Sequence, residues 1–329
     1  MGRVLFTNGR VLPCTGADER PFDGSILVEG DRIAEVRPGR VAVSEDCRVI
    51  DLGGSTVMPG LGDAHVHFGQ PLDFEYDYAG LMTAAPDDAA LSTAAVARTY
   101  LEHGVTTCVS GGGAPRGDVA LKNVIDRGWV AGPRIVPGGA MISDPEGVPT
   151  FVMPTTVDDM RKAVAEQCAL GVQAVKMFLS GETVMPPGAP EVPVERTFMN
   201  EALVDAAVDE AARGGAFITA HCRGAGSVTL AARCGVRLIN HASYVDDEGL
   251  ALLKRRNDVW VCPGVHYMWA MSHVAKEPYL TLAVEGGYGR EYEHAVKTIA
   301  VLADAGVKLL PGGDYGHVWV PHGGTACDL

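Results

Sequence analysis

The sequence predicts an α/β protein in which a closed (β/α)₈ barrel follows a small β module. Residues 1–58 alternate apolar and polar side chains around glycine-containing turns, as short strands do. From Val57 onward, short apolar segments alternate with alanine-rich stretches of helical character, which is typical of a parallel sheet. Eight apolar segments are present, and eight is the strand number of this barrel. We therefore predict a β module over 1–58 and a barrel domain over 59–329.

The N-terminal module is expected to be a small β-sandwich without helices. Its alternating segments are centred on Asn-Gly, Glu-Gly-Asp and Gly-Gly turns, whose residues accept the backbone angles of tight turns. These segments read VLFTNGRVLP, GSILVEGDRIAEVRP and CRVIDLGGSTVMP.

Each predicted barrel strand is a short apolar run that ends in small or polar residues. In chain order the strands read VMPGLGDAHVH, VTTCVSGG, RIVPGGAMI, AVKMFL, FITAHC, RLINHA, VWVCPG and KLLPGGD. The intervening helices include DDAALSTAAVARTYLEHG, TVDDMRKAVAEQCALG, NEALVDAAVDEAARGG, AGSVTLAARCG and DDEGLALLKRRN. Several begin at Asp, Asn or Thr and end at Gly, which are the preferred helix caps. An open doubly wound sheet is the alternative, but the first strand lacks the following GxGxxG turn.

The composition indicates which classes of binding partner and which cellular compartment to expect. The chain has 329 residues, of which 47% are apolar and 21% charged, as in ordinary globular proteins. Its net charge of -14 argues against a nucleic-acid or anionic-membrane partner and leaves a small-molecule substrate open. The N-terminus lacks the apolar region of a signal peptide, and no apolar run has the length of a membrane span. Eight cysteines without a CxxC pair predict reduced thiols in a cytoplasmic protein.

Six side chains able to carry chemistry lie within or at the ends of predicted strands. They are His65, His67, Lys176, His221, His241 and Asp314. Taken singly, a strand-end histidine is more often structural, and an aspartate after two glycines is often a turn residue. Functional groups of a barrel lie at the C-terminal ends of its strands, so the shared placement favours one site. Imidazole and carboxylate ligands suit Zn²⁺, Mn²⁺, Fe²⁺ or Co²⁺.

Two of these residues carry additional information. His65 and His67 are two residues apart in one strand, so their side chains point to the same face. Lys176 lies inside an apolar strand, where a charged ammonium without a partner is costly to bury. A metal site would explain the histidine pair.

The chain resembles the amidohydrolase superfamily over nearly its whole length from Val57. The matching motifs are PGLGDAHVH at strand 1, AVKMF at strand 4, AHC at strand 5, NHAS at strand 6 and GGDYG at strand 8. An HxH pair alone has low specificity, whereas the ordered set of five is specific. The stretch GVRLINHASYVDDEGLALLKRRNDVWVCPG is most similar to the imidazolonepropionase-like and Xaa-Pro dipeptidase-like branch.

This resemblance implies a hydrolase with two divalent metal ions, zinc being expected first and Mn, Co or Fe as alternatives. His65, His67 and Asp314 would bind the more buried ion, and His221 and His241 the second. Lys176 would carry a CO₂-derived carbamate that bridges both ions. Asp314 would accept the proton of the water that becomes a metal-bridging hydroxide and pass it to the leaving nitrogen. The reaction implied is cleavage of a C–N bond in an amide, urea, carbamate or dipeptide.

Two departures from the branch leave the substrate open. Arg223 stands where members often carry a tyrosine, and the loop GAMISDPEGVPTF lacks the histidine that they often have. The loops FGQPLDFEYDYAGLM and HYMWAMSHVAKEPYLTLAVEGGYGREYE could line an apolar pocket, pack against each other or contact a second subunit. A homo-oligomer is expected. The candidate substrate contacts are Arg223, Tyr244, His266, Tyr267, His317 and His322.

The C-terminal end of the sequence lies close to Asp314. Because Leu329 follows Asp314 so closely, helix 8 of the barrel and the strands that return to the β module are expected to be missing. That would leave an unpaired edge on the module and one uncovered side of the barrel.

A mononuclear deaminase or cyclic-amide hydrolase is disfavoured by Lys176, which such relatives generally lack. A catalytically silent scaffold or truncated inactive fragment also stays open, although all six ligands are present.

Overall fold

The computed structural model describes residues 2–16, 20–42, 44–68, 86–113, 115–185, 191–277, 279–317 and 319–329. The chain divides into two compact units, Met1–Gly60 and Leu61–Leu329. The apolar loop FGQPLDFEYDYAGLM lies outside the described residues except for Phe68, so the prediction that it lines a pocket keeps that status.

The N-terminal unit is a five-stranded sheet built around its first strand. Its strands are β1 (Arg3–Val11), β2 (Phe22–Glu29), β3 (Arg32–Pro38), β4 (Arg48–Asp51) and β5 (Thr56–Val57). The order is β3-β2-β1-β4, with β5 also on β1; β1 pairs antiparallel with β2 and parallel with β4 and β5. Leu5, Leu27, Val41 and Cys47 form its buried core. The described residues form one sheet, and the second layer of a sandwich stays a prediction.

The larger unit contains seven strands in two parallel sheets, as the sequence predicted for an α/β protein. These strands are β6 (Leu61–Val66), β7 (Val105–Ser110), β8 (Arg134–Val136), β9 (Ala174–Phe178), β10 (Phe217–Cys222), β11 (Leu238–His241) and β12 (Trp260–Cys262). One sheet has the order β6-β7-β8 and the other β12-β11-β10-β9. Within each sheet, neighbouring strands are consecutive in the chain and parallel. Because they are parallel, their C-terminal ends lie along one edge of the sheet.

Isolated parallel bridges continue the pairing beyond the two sheets. Ile142 pairs with Met177 of β9, Leu309 with Val261 of β12, and Tyr315 with Val66 of β6. The segment 308–314, predicted as a regular strand, and the adjoining Tyr315 therefore lie between β12 and β6 through single bridges. Pro311 in this segment has no N–H to donate, which limits regular pairing.

Helices connect the parallel strands. They are Pro86–Glu102, Gly117–Asp126, Val157–Ala169, Glu201–Arg213, Ala225–Cys234, Asp247–Arg255, Val265–His273, Tyr279–Gly286 and Tyr288–Asp304, and a 3₁₀ turn covers Thr325–Asp328. Among the described residues after Asp314, this 3₁₀ turn is the only helical segment. No helix in the described part of the chain is both long and apolar enough to cross a membrane.

Three of the predicted helix starts carry the side-chain caps that their sequences indicated. Thr156, Asn200 and Asp246 accept hydrogen bonds from the backbone N–H groups of Asp159, Leu203 and Gly249 respectively. Each of these bonds satisfies one of the free donors of the first helical turn.

Most of the described part of the segment 266–293 is helical rather than a long loop, which corrects the sequence interpretation. The helices Val265–His273, Tyr279–Gly286 and Tyr288–Asp304 cover it. Tyr267, Met268 and Met271 are buried on the first of these helices. Apolar residues occur on several sides of this helix, so the sequence shows a weak helical period. Its aromatic and methionine content therefore reflects packing in the core.

Candidate metal centre

His65 and His67 form the first part of the site at the end of β6. The alternation of the strand directs both imidazoles to one side. Both residues are buried, and the backbone N–H of His67 donates to the carbonyl of Tyr315 at 2.6 Å. This bond fixes the strand end against the segment that carries Asp314. The imidazole pair thereby faces the carboxylate.

Asp314 joins the two histidines into one compact group. Its Oδ1 lies 3.3 Å from His65 Nε2 and 3.0 Å from His67 Nε2. One ligand atom from each of the three residues lies within 4.8 Å of the others, a group that could hold a metal ion. The backbone of Asp314 has φ 60°, a left-handed conformation that residues other than Gly, Asn and Asp rarely adopt. Strained backbone of this kind is common at functional sites.

His221 and His241 lie next to this group, at the ends of β10 and β11. Their ring centroids are 4.6 Å apart, and the His241 ring is 5.2 Å from that of His65. His241 Nε2 is 3.8 Å from Asp314 Oδ2. The structure thus places all four predicted histidines around Asp314. The compact ligand group itself contains His65, His67 and Asp314.

The hydrogen bonds of the rings indicate which nitrogens are free for a metal. His67 Nδ1 lies 3.0 Å from the carbonyl of Gly112, and His221 Nε2 lies 2.9 Å from that of Gly181. A carbonyl only accepts, so these two nitrogens carry the proton and the opposite nitrogens carry the lone pair. Within the described part of the chain, His65 Nδ1 and both nitrogens of His241 have no hydrogen-bond partner although they are buried. Unpartnered buried imidazole nitrogens next to a carboxylate fit a divalent metal ion.

The protonation states also suit metal binding. Burial lowers the pKa of His65, His221 and His241 well below the usual range, because a charged imidazolium would lose its hydration. Burial alone would raise the pKa of Asp314. His65, His317 and His67 outweigh burial and hold the pKa of Asp314 well below its usual range. The centre therefore combines neutral imidazoles with an ionised carboxylate, the forms that bind metals.

Lys176 points into the same centre from β9. Its side chain is buried, and Nζ lies 3.0 Å from His65 Nε2. Among the described residues, no carboxylate oxygen lies within 4.0 Å of Nζ. Burial lowers the pKa of this amine to about 8. A buried lysine without an ion-pair partner is the unusual feature that the sequence predicted.

Gly111 lies against the two imidazoles and is a position that the sequence interpretation missed. A Cβ on this residue would lie 2.7 Å from His67 Nε2 and 3.0 Å from His65 Cδ2. The glycine therefore leaves the space that the two imidazoles occupy. Gly111 directly follows β7 (Val105–Ser110), which pairs with the HxH strand. That position is the signal that could have identified Gly111.

Replacing Gly111 by alanine should displace the two imidazoles and weaken Zn²⁺ binding by about 10- to 100-fold. Competition with a chromogenic chelator measures the affinity. Gly62→Ala is the matched control, because a Cβ at Gly62 meets nothing within 4 Å. Equal affinities in the two variants would show that the site does not require a glycine at 111.

The predicted substrate contacts occupy different surroundings. His317 Nε2 is 3.6 Å from Asp314 Oδ1, and the Tyr267 ring lies 5.2 Å from that of His317. His266 packs near Tyr315, with ring centroids 5.6 Å apart. His317 therefore borders the candidate ligands directly, and Tyr267 packs against His317.

Three other predicted contacts already have close partners in the fold. Tyr244 packs on His294, with ring centroids 4.5 Å apart. His322 lies against Phe68 and is hydrogen-bonded to the hydroxyl of Tyr100 at 2.6 Å. Arg223 is fully buried and forms ion pairs with two carboxylates of this chain. Contact of all six residues with substrate stays a prediction.

Those two carboxylates, Glu182 and Glu291, are further residues that the sequence interpretation missed. Glu182 lies a few residues after β9, the strand that carries Lys176. Its position near a strand end could have identified it from the sequence. Glu291 is buried on the helix Tyr288–Asp304, in a segment interpreted as a loop. Recognising the helical period of this segment would have placed Glu291 on the buried face of the helix.

Comparisons with known proteins show what this chain is similar to. A family model described as the amidohydrolase family matches residues 56–304. Ochratoxinase from Aspergillus niger is 26% identical over an alignment of 291 residues, which covers 78% of this chain and 58% of that protein. The chain thus spans little more than half the length of this relative.

Solved structures show the same fold. A crystal structure of a Xaa-Pro dipeptidase with bound methionine superimposes with a TM-score of 0.85 at 22% identity, covering 99% of this chain and 82% of that one. A prolidase complexed with N-methylphosphonate-L-proline gives a TM-score of 0.82 at 25% identity, covering 95% and 78%. The first of these likenesses concerns the fold alone.

Proposed function

The chain belongs to the amidohydrolase family, and from this premise we propose that it is a metal-dependent hydrolase that cleaves a C–N bond. The observation that carries the proposal is the buried group of His65, His67 and Asp314, with unpartnered imidazole nitrogens beside it. We take the substrate to be an amide or dipeptide first, with ureas and carbamates as alternatives. The names of ochratoxinase and the prolidase support hydrolysis of this general kind.

We assign the ligands as the sequence predicted. His65, His67 and Asp314 would hold one divalent ion, and His221 and His241 a second, with zinc as the first candidate. Lys176 would carry a carbamate formed with CO₂ and supply a further anionic ligand. Bound metal supplies an acidified water and polarises the scissile carbonyl. The bridges of Ile142, Leu309 and Tyr315 support a closed (β/α)₈ barrel that brings these strand ends together.

The chain's own groups move the proton. Asp314 is ionised and lies at the centre of the histidines, so one of its oxygens accepts the proton of the attacking water. The same oxygen then delivers that proton to the departing nitrogen, which leaves as an amine. His317 borders this carboxylate at 3.6 Å and helps to keep it ionised. The buried ring of Tyr267 packs against His317.

A panel of N-acyl amino acids, dipeptides and arylureas tests the proposal. The purified chain is loaded with Zn²⁺, Mn²⁺ or Co²⁺, and released amines are measured by mass spectrometry. We expect an amine product from at least one amide or dipeptide, and none after chelation. Release of ammonia from an aminated heterocycle, with no cleavage anywhere in the panel, would instead support the mononuclear deaminase.

A further inference from the structure

Arg223 is the centre of a buried ion cluster directly behind the metal centre. Its Nε lies 2.7 Å from Glu182 Oε1, its Nη2 3.1 Å from Glu182 Oε2, and its Nη1 2.9 Å from Glu291 Oε1. The side chain of Arg223 has no exposed surface, and that of Glu291 is 1% exposed. The guanidinium is therefore engaged by this chain's own carboxylates. We call Glu182, Arg223 and Glu291 the ion cluster.

The ion cluster joins segments from four parts of the chain. The hydroxyl of Tyr288 donates to Glu182 Oε1 at 2.9 Å, and that of Ser243 donates to Glu291 Oε1 at 2.5 Å. Thr183 also donates to Glu291. The loop after β9, the ends of β10 and β11 and the helix Tyr288–Asp304 are thus held together around His221. Buried and hydrogen-bonded ion networks of this kind are rigid and are disrupted when one partner is removed.

The ion cluster lies beside His221 Nε2. His221 Nε2 donates to the carbonyl of Gly181 at 2.9 Å, and Glu182 Oε2 lies 4.0 Å from the same nitrogen. The bond to the carbonyl keeps the proton on Nε2 and leaves the lone pair of Nδ1 for a metal ion. Glu182 directly follows Gly181, so its ion pair with Arg223 holds this carbonyl in place. The unpartnered nitrogens of His241, 4.6 Å away by ring centroids, are independent signs of a ligand position.

We propose that the ion cluster positions His221 for the second metal ion, so that Glu182 and Arg223 act on the metal centre through His221. Arg223 is then a positioning residue, and the substrate's carboxylate, where one exists, is bound elsewhere. This inference rests on the two-metal site of the proposed function. It goes beyond that function because it assigns a role to three residues outside the ligand set.

Titration of the metal-free chain with Co²⁺, followed by visible absorbance, separates the two binding steps. We expect the wild-type chain to bind two Co²⁺ ions. In Glu182→Gln, the first step should be unchanged and the second weakened by about 10- to 100-fold. Tyr288→Phe keeps all charges and removes one hydrogen bond to Glu182, so it should weaken the second step less. Glu166→Gln, on the exposed face of the helix Val157–Ala169, is the control.

The outcomes distinguish this inference from the proposed function. Two Co²⁺ ions bound with equal affinity by the wild type, Glu182→Gln and Tyr288→Phe would overturn the inference alone. Equal weakening of both steps would also overturn it, since that result indicates a general structural role. Selective loss of the second step, with no cleavage by the wild type of any amide, dipeptide or arylurea in the panel, would support the cluster and contradict the proposed function. A single Co²⁺ ion in the wild type would overturn the two-metal site and the inference together.

Discussion

Replacing Asp314 by asparagine should lower kcat/KM for amide hydrolysis by about 10²- to 10⁴-fold, the usual contribution of a general acid–base group. The amide cannot accept the proton of the attacking water or return it to the leaving nitrogen. It also removes the negative charge that lies 3.0 Å from His67 Nε2. Asparagine tolerates the left-handed backbone found at this position, φ 60°, so the fold should persist.

The measurement is the rate of amine release by Asp314→Asn at saturating metal, with the melting temperature as a check of folding. Asp304→Asn, at the exposed end of the last α-helix described, provides the matched control with the same chemical change. Hydrolysis by Asp314→Asn at the rate of the control would exclude Asp314 as the proton acceptor.

Replacing Lys176 by alanine should reduce hydrolysis by about 10²- to 10³-fold, the scale of losing one major electrostatic contact of an active site. Lys176 is buried beside His65 without a carboxylate partner among the described residues. In the two-metal proposal, Lys176 as a carbamate would supply an anionic metal ligand, which alanine cannot. The truncation also leaves a space next to His65. A small carboxylate such as acetate should enter that space and restore part of the rate.

The rate of the Lys176→Ala variant is measured with and without acetate, together with its metal content. Lys162→Ala, an exposed lysine on the helix Val157–Ala169, should behave as the wild type in both respects. Full activity of Lys176→Ala with one metal ion per chain would contradict the two-metal account. That result would favour the mononuclear hydrolase or deaminase considered from the sequence.

The parallel strands and the capped helices were predictable because local signals agreed with the fold. Alternating apolar strands and the caps Thr156, Asn200 and Asp246 are properties of adjacent residues. The segment 266–293 was not predictable in this way, since apolar residues on several sides of its first helix weaken the helical period. The segment 308–315 forms single bridges because Pro311 interrupts regular pairing.

The candidate ligands could be found from the sequence, whereas their surroundings could not. His65, His67 and Asp314 could be found because strand ends are recognisable and barrel sites occur there. The surroundings of Arg223 depend on Glu291, which is distant in sequence and joins it through tertiary packing. Gly111 likewise matters through the space it leaves for His65 and His67, and a single sequence carries no direct sign of such space.

The central claim is that bound metal at the His65–His67–Asp314 group supports C–N bond hydrolysis. The most direct measurement records metal content and amine release together, on the same purified chain, before chelation, after chelation and after Zn²⁺ is restored. The account predicts that activity disappears with the metal and returns as about two Zn²⁺ ions bind per chain. Hydrolysis that continues at full rate in the metal-free chain would contradict it.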